Sequence, residues 1–114
     1  MKYMLQVRFN GADAVIGRLP APEQEKVTAE FIAVRGFAGV LDGNQLQAAS
    51  EAVTVRVKGG ETEVAKGPAV AAGAEVDGYY IYEAPDLDAA IALAARIPVA
   101  RMGGTIELRA MVER

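Results

Sequence analysis

The chain has 114 residues, a formal net charge of −3 at pH 7, 52% hydrophobic and 24% charged residues. That is enough for one domain, residues 1–114, which buries about two-thirds of the surface of its unfolded chain. The composition is globular rather than disordered. There is no cysteine and no histidine, which excludes disulfides, thiolate metal sites, a cysteine nucleophile and a histidine general base. A metal would need an all-oxygen site, and no carboxylate cluster has the spacing of a calcium loop, so neither metal nor cofactor is expected. Lys and Arg are scattered through an acidic chain, without the basic stripe of a nucleic-acid surface. The start, residues 1–9, resembles a signal peptide only until Gln6 and Arg8 break the apolar run. No run reaches the roughly 18 residues of a membrane span. A soluble cytoplasmic domain is expected.

In chain order, Tyr3, Leu5, Val7 and Phe9 alternate with Lys2, Met4, Gln6 and Arg8, the period of a strand with one apolar face. Asn10-Gly11-Ala12-Asp13 reads as a turn, and loop continues to Pro20. Pro22 suits a first helical turn, as do the acids Glu23 and Glu25. Val27, Phe31, Val34 and Ala38 then form a helical stripe. Gly36 and Gly39 mark its end, Gly39 being the better left-handed cap.

Val40 to Gln47 reads as a strand interrupted by Asp42-Gly43-Asn44. Val53, Val55 and Val57 alternate with Thr54, Arg56 and Lys58. Gly59-Gly60 suits a two-residue hairpin turn, so Glu61 to Ala65 should fold back antiparallel. Residues 67–77 are loop, and Gly78 to Glu83 is strand. Asp86 is placed as an N-cap, and Leu87, Ala90, Ile91 and Ala94 form one face of an alanine-rich helix that Pro98 stops. In the last strand Ile106, Leu108, Ala110 and Val112 face one way, opposite Thr105, Glu107, Arg109 and Met111.

This order predicts an α+β, ferredoxin-like two-layer sandwich: an antiparallel sheet with two helices on one face. The other face carries Met4, Gln6, Arg8, Arg56, Glu107, Arg109 and Met111. Its mixed character makes it a candidate for burial against a second subunit.

Several short stretches then carry a resemblance: Met1-Lys2-Tyr3-Met4-Leu5, Thr54-Val55-Arg56-Val57, Lys66-Gly67-Pro68-Ala69 and Gly78-Tyr79-Tyr80. They continue with residues 84–90 (Ala-Pro-Asp-Leu-Asp-Ala-Ala), Pro98, and Ala100-Arg101-Met102-Gly103-Gly104 before the strand Thr105 to Arg109. In this order and spacing the chain resembles the DGPF-domain branch of the YCII-related proteins over nearly its whole length. The resemblance implies a ferredoxin-like fold that pairs into a homodimeric α+β barrel, with a small cavity between sheet and loops. It also implies, by analogy alone, either chemistry on small cyclic or aromatic compounds or a role beside a sigma factor. The family's Asp-Gly-Pro-Phe signature is Lys66-Gly67-Pro68-Ala69 here, and Met102 stands where a histidine is common. Both members of the presumed acid–base pair are replaced, so proton transfer by that pair is not expected.

The candidate site residues follow. Lys66, if held in an apolar pocket, is a base or Schiff-base nucleophile; on a solvated hairpin it is neither. Tyr79, Tyr80 and Tyr82 divide between two strand faces, one packing in the core and the other offering flat apolar area and phenol groups to a ligand. Arg8, Arg101 and Arg109, with Arg56, are either carboxylate-binding forks or ion-pair partners of Glu107. Asp77 and Glu75 are the acids nearest the altered signature. The favoured function is binding of a small anionic or aromatic molecule in a cavity lined by Lys66, Met102 and the Tyr79–Tyr82 strand. The alternatives are a cofactor-independent isomerase, cyclase or lyase using Lys66 and a tyrosine, and a non-catalytic regulatory dimer.

Overall fold

The computed structural model describes residues 1–9, 12–71 and 73–113, and only the backbone of residues 12–14. Its elements in chain order are β1 (Lys2–Arg8), α1 (Ala12–Gly17), α2 (Ala21–Arg35), β2 (Val40–Gln45), a 3₁₀ turn (Ala49–Glu51), β3 (Val53–Lys58) and β4 (Glu61–Lys66). There follow β5 (Gly78–Glu83), α3 (Leu87–Arg96), α4 (Pro98–Arg101) and β6 (Thr105–Ala110).

Four strands form one antiparallel sheet in the order β2-β5-β1-β6. Counting only these four, the first and third to appear in the chain lie at the centre and the second and fourth at the edges. That is the split βαβ arrangement of the ferredoxin-like fold. Strand β1 is central because its alternation supplies Tyr3, Leu5 and Val7 to the covered face, each at most 5% exposed. Against them pack Val34 of α2, Ala90, Leu93 and Ala94 of α3, and Ile97 and Val99 around the start of α4.

The helices depart from the sequence expectations in instructive ways. Helix α1 occupies part of the stretch expected as loop, while Asn10 and Gly11 of the expected turn lie outside the described residues. Helix α2 ends at Arg35 with Gly36 as its cap in an ordinary right-handed conformation. Gly39, at φ 94°, serves instead in the turn into β2, where a Cβ would sit 2.8 Å from the Glu83 carbonyl oxygen. Ala38 therefore falls off the helical stripe. In α3 the Asp86 side chain accepts from the Ala89 N–H at 2.8 Å, as a cap should. Its buried face is Ala90, Leu93 and Ala94, whereas Leu87 and Ile91 are about half exposed. The small alanines let this helix settle close on the sheet, and Leu93 is the side chain that fills the space. Pro98 does not only end α3; it opens α4.

Strands β3 and β4 leave the main sheet altogether. They pair with each other, Val55 opposite Val64 and Val57 opposite Thr62, and contact little else. Gly59 and Gly60 close the hairpin with φ of 59° and 81°, the positive pair that a tight hairpin turn needs. Arg56, expected on the open face of the main sheet, thus stands on this separate arm. Strand β6 ends at Ala110, so Val112 lies beyond it and is 76% exposed.

Candidate functional site

A partly enclosed concavity lies where the helical layer meets one end of the sheet. It measures about 280 Å³ and is walled by Val7, Ile16, Phe31, Ile32 and Tyr80, with Thr28, Arg35, Gln45 and Asp77 adding polar groups. That volume is at the lower bound for small-molecule pockets, and a dry cavity of about 150 Å³ already accepts benzene.

Each wall has a local cause. Thr28, Phe31, Ile32 and Arg35 share one flank of α2 through their three- and four-residue spacing. Tyr80 is 5% exposed and donates from its hydroxyl to the Phe31 carbonyl at 3.2 Å. Burial pushes its phenol pKa up to about 12, against a smaller opposing pull from the Arg35 charge. Gly43, directly opposite Tyr80 in the sheet, makes room for that ring. A Cβ there would stand 2.6 Å from Tyr80 Cδ1 and 3.1 Å from Arg35 Cγ.

The two charges of the cavity are held differently. The Asp77 carboxylate accepts from the Phe9 N–H at 2.6 Å, while its own backbone N–H donates to Val7 and its carbonyl accepts from Leu46. It is fixed from three sides. Arg35 forms no ion pair with any described residue, and as a residue it is exposed. A mainly apolar cavity lined by a guanidinium without an ion-pair partner among the described residues, its one carboxylate already engaged by a backbone N–H, is suited to an anionic head on an apolar body.

The expected site residues are distributed over the molecule. Tyr79 and Tyr80 both line this cavity. Tyr82 packs against the core near Gly39. The Tyr79 hydroxyl donates to Asp42 at 2.9 Å and accepts from Asn44 at 3.0 Å. Lys66 is exposed at the end of β4, opposite Val53, and Met102 is half-buried at the cap of α4. Neither lines this cavity or either of the two more open ones, which lie at the foot of the arm and beside Gly103-Gly104.

The arginines are mostly committed to protein partners. Arg8 lines the concavity beside Gly104, but it donates to the Ala74 carbonyl and to Gln6 Oε1 at 2.9 Å, and lies 3.7 Å from Glu107. Arg109 approaches the same Glu107 at 3.9 Å. Arg101 grips Glu30 through both nitrogens at 2.6 and 2.7 Å, which holds the Glu30 carboxyl below its ordinary range and raises Arg101.

Sequence reasoning passed over Arg35, Thr28 and Ile16. The signal for the first two was present, since residues 28, 31, 32 and 35 recur as one helical flank. Nothing in the spacing said that Asp77 would arrive opposite it.

The split βαβ sheet with one covered face defines an α+β protein of the ferredoxin-like class. A model of the YCII-related domain matches residues 1–113, and the chain belongs to that family. A search of curated proteins found no significant match. No helix among the described residues is long and apolar enough to cross a membrane.

Proposed function

We propose that this YCII-related protein binds a small aromatic acid in the cavity between α2 and the β2-β5-β1 end of the sheet. The ring lies against Phe31, Ile16 and Val7. The carboxylate meets Arg35, and Asp77 accepts from any hydroxyl the ring carries. The observation that carries this reading is Arg35, which lines a cavity walled mainly by apolar side chains and is without an ion-pair partner among the described residues, whereas the cavity's other charge, Asp77, is already engaged by the Phe9 N–H. Lys66 and Met102 take no part in it.

The experiment is a thermal-shift and calorimetric screen of aromatic acids alongside their neutral amides. The reading expects at least one acid to raise the melting temperature while its amide does not. Arg35→Gln should weaken that acid about tenfold or more, the scale of one charge-assisted hydrogen bond. No response to any acid, or an undiminished one in Arg35→Gln, overturns the reading.

A further inference from the structure

Gly43 is buried in the edge strand β2, and its backbone lies outside the left-handed region, so conformation does not require a glycine there. Space does. A Cβ would stand 2.6 and 2.9 Å from Cδ1 and Cε1 of the Tyr80 ring, and 3.1 Å from Arg35 Cγ. The bare backbone is therefore a floor on which two side chains rest. One is the ring that walls the cavity, and the other is the stem of the arginine that charges it. Both meet the same point of that floor, so the stem lies beside the ring. In keeping with this, the Arg35 charge is near enough to draw the Tyr80 phenol downward against the larger effect of burial.

The floor is tied down from behind. Asp42 and Asn44 flank Gly43 in the strand and point to its opposite face, beside Tyr79 of β5. The Tyr79 hydroxyl donates to Asp42 at 2.9 Å and accepts from the Asn44 amide at 3.0 Å. Asp42 also accepts from the Gly43 N–H at 2.9 Å and from the Asn44 amide at 3.1 Å. These bonds hold β2 to β5 at the level of Gly43, so pressure on the floor from the cavity side meets a fixed strand.

An exposed arginine ordinarily samples many rotamers, and ordering it subtracts from the affinity of any ligand it binds. We infer that Gly43 is a positioning residue: it seats the stem of Arg35 beside Tyr80, and this seat is what makes the cavity select an anion. The inference rests on the ligand reading above. It adds the reason why a side chain without an ion-pair partner among the described residues is a fixed recognition group. Arg35→Gln removes the charge; Gly43→Ala keeps the charge and moves it.

The test is calorimetry of benzoate and salicylate with wild type, Arg35→Gln, Gly43→Ala and the double variant. Gly43→Ala should weaken the acids about tenfold, as Arg35→Gln does. The double variant should be no weaker than either single one, because both changes remove one interaction. Losses that multiply would mean that the wall had moved independently of Arg35, and would overturn the inference. Undiminished binding in Gly43→Ala overturns it as well. Nitrogen relaxation of the arginine Nε–H groups in ligand-free wild type decides without any variant, should Gly43→Ala not fold or neither acid bind. Arg35 should be as ordered as Arg101, which Glu30 grips, and more ordered than the exposed Arg18. An Arg35 as mobile as Arg18 sinks the seat. An ordered Arg35 in a protein that binds neither acid would count against the ligand reading and not against the seat.

Discussion

The Tyr80 hydroxyl donates to the Phe31 carbonyl at 3.2 Å, tying a central strand of the sheet to the helix that roofs the cavity. Removing that hydroxyl in Tyr80→Phe leaves the ring in place, so the loss should be near 1 kcal/mol, the net worth of one such bond.

The same residue sets an alkaline limit. Its phenol has a folded pKa of about 12 against 10.0 for an ordinary tyrosine. The unfolded chain therefore releases this proton first as the pH rises. Stability is whole below pH 10, falls between about 10 and 12, and the loss is on the order of 2–3 kcal/mol. Urea unfolding across that window should show the decline in wild type, and a shallower one in Tyr80→Phe. Equal slopes would mean that the phenol is not the group responsible.

Gly103 and Gly104 are adjacent and identical, and should answer substitution differently. At Gly104 a Cβ would overlap Val99 Cγ1 and stand 2.8 Å from the Arg8 carbonyl oxygen. Gly104→Ala should cost about 2–3 kcal/mol as overpacking, or prevent folding. At Gly103 a Cβ meets nothing within 4 Å, and only the φ of 98° resists, so Gly103→Ala should cost about 1 kcal/mol. Denaturation midpoints of the two variants decide it; similar values would disprove the distinction.

Arg101 and Glu30 form a two-pronged pair on the surface. Its hydrogen bond lowers the Glu30 carboxyl, so whatever stability the pair adds is present above the ordinary carboxylate pKa and disappears as the pH falls through the lowered value. In a carboxylate NMR titration Glu30 should return to its usual range in Arg101→Ala. Ligand response in the thermal screen should be unchanged by that variant, because Arg101 does not line the cavity.

Much of the architecture was legible from the chain itself. Alternation at Tyr3, Leu5 and Val7 names both a strand and its buried face. Gly59-Gly60 names a turn, and Asp86 a cap, because each states a local requirement that few other residues meet. What alternation does not state is which strand lies alongside, so Val53 to Val57 read as part of one sheet and proved to be part of another. Leu87 and Ile91 looked like core because a helical stripe in an alanine-rich segment can be drawn on either of two adjacent flanks. The choice was made by Leu93 meeting the sheet. Arg35 and Asp77 share a cavity because α2 and the entrance to β5 meet in space, which no spacing along the chain expresses.

The strands on either side of the arm are neighbours in the main sheet, and the Leu46 N–H donates to the Asp77 carbonyl at 2.9 Å where the excursion departs and returns. Everything from residue 47 to 76 is consequently a graft on what would otherwise be an ordinary β2–β5 connection. Lengthening, trimming or repainting the β3–β4 arm at its tip leaves the sheet beneath it unaltered, while the return of the chain stays tied to the body where Arg8 donates to the Ala74 carbonyl. Natural variation in such a scaffold has a cheap place to accumulate, and a protein engineer has a ready socket for a foreign loop.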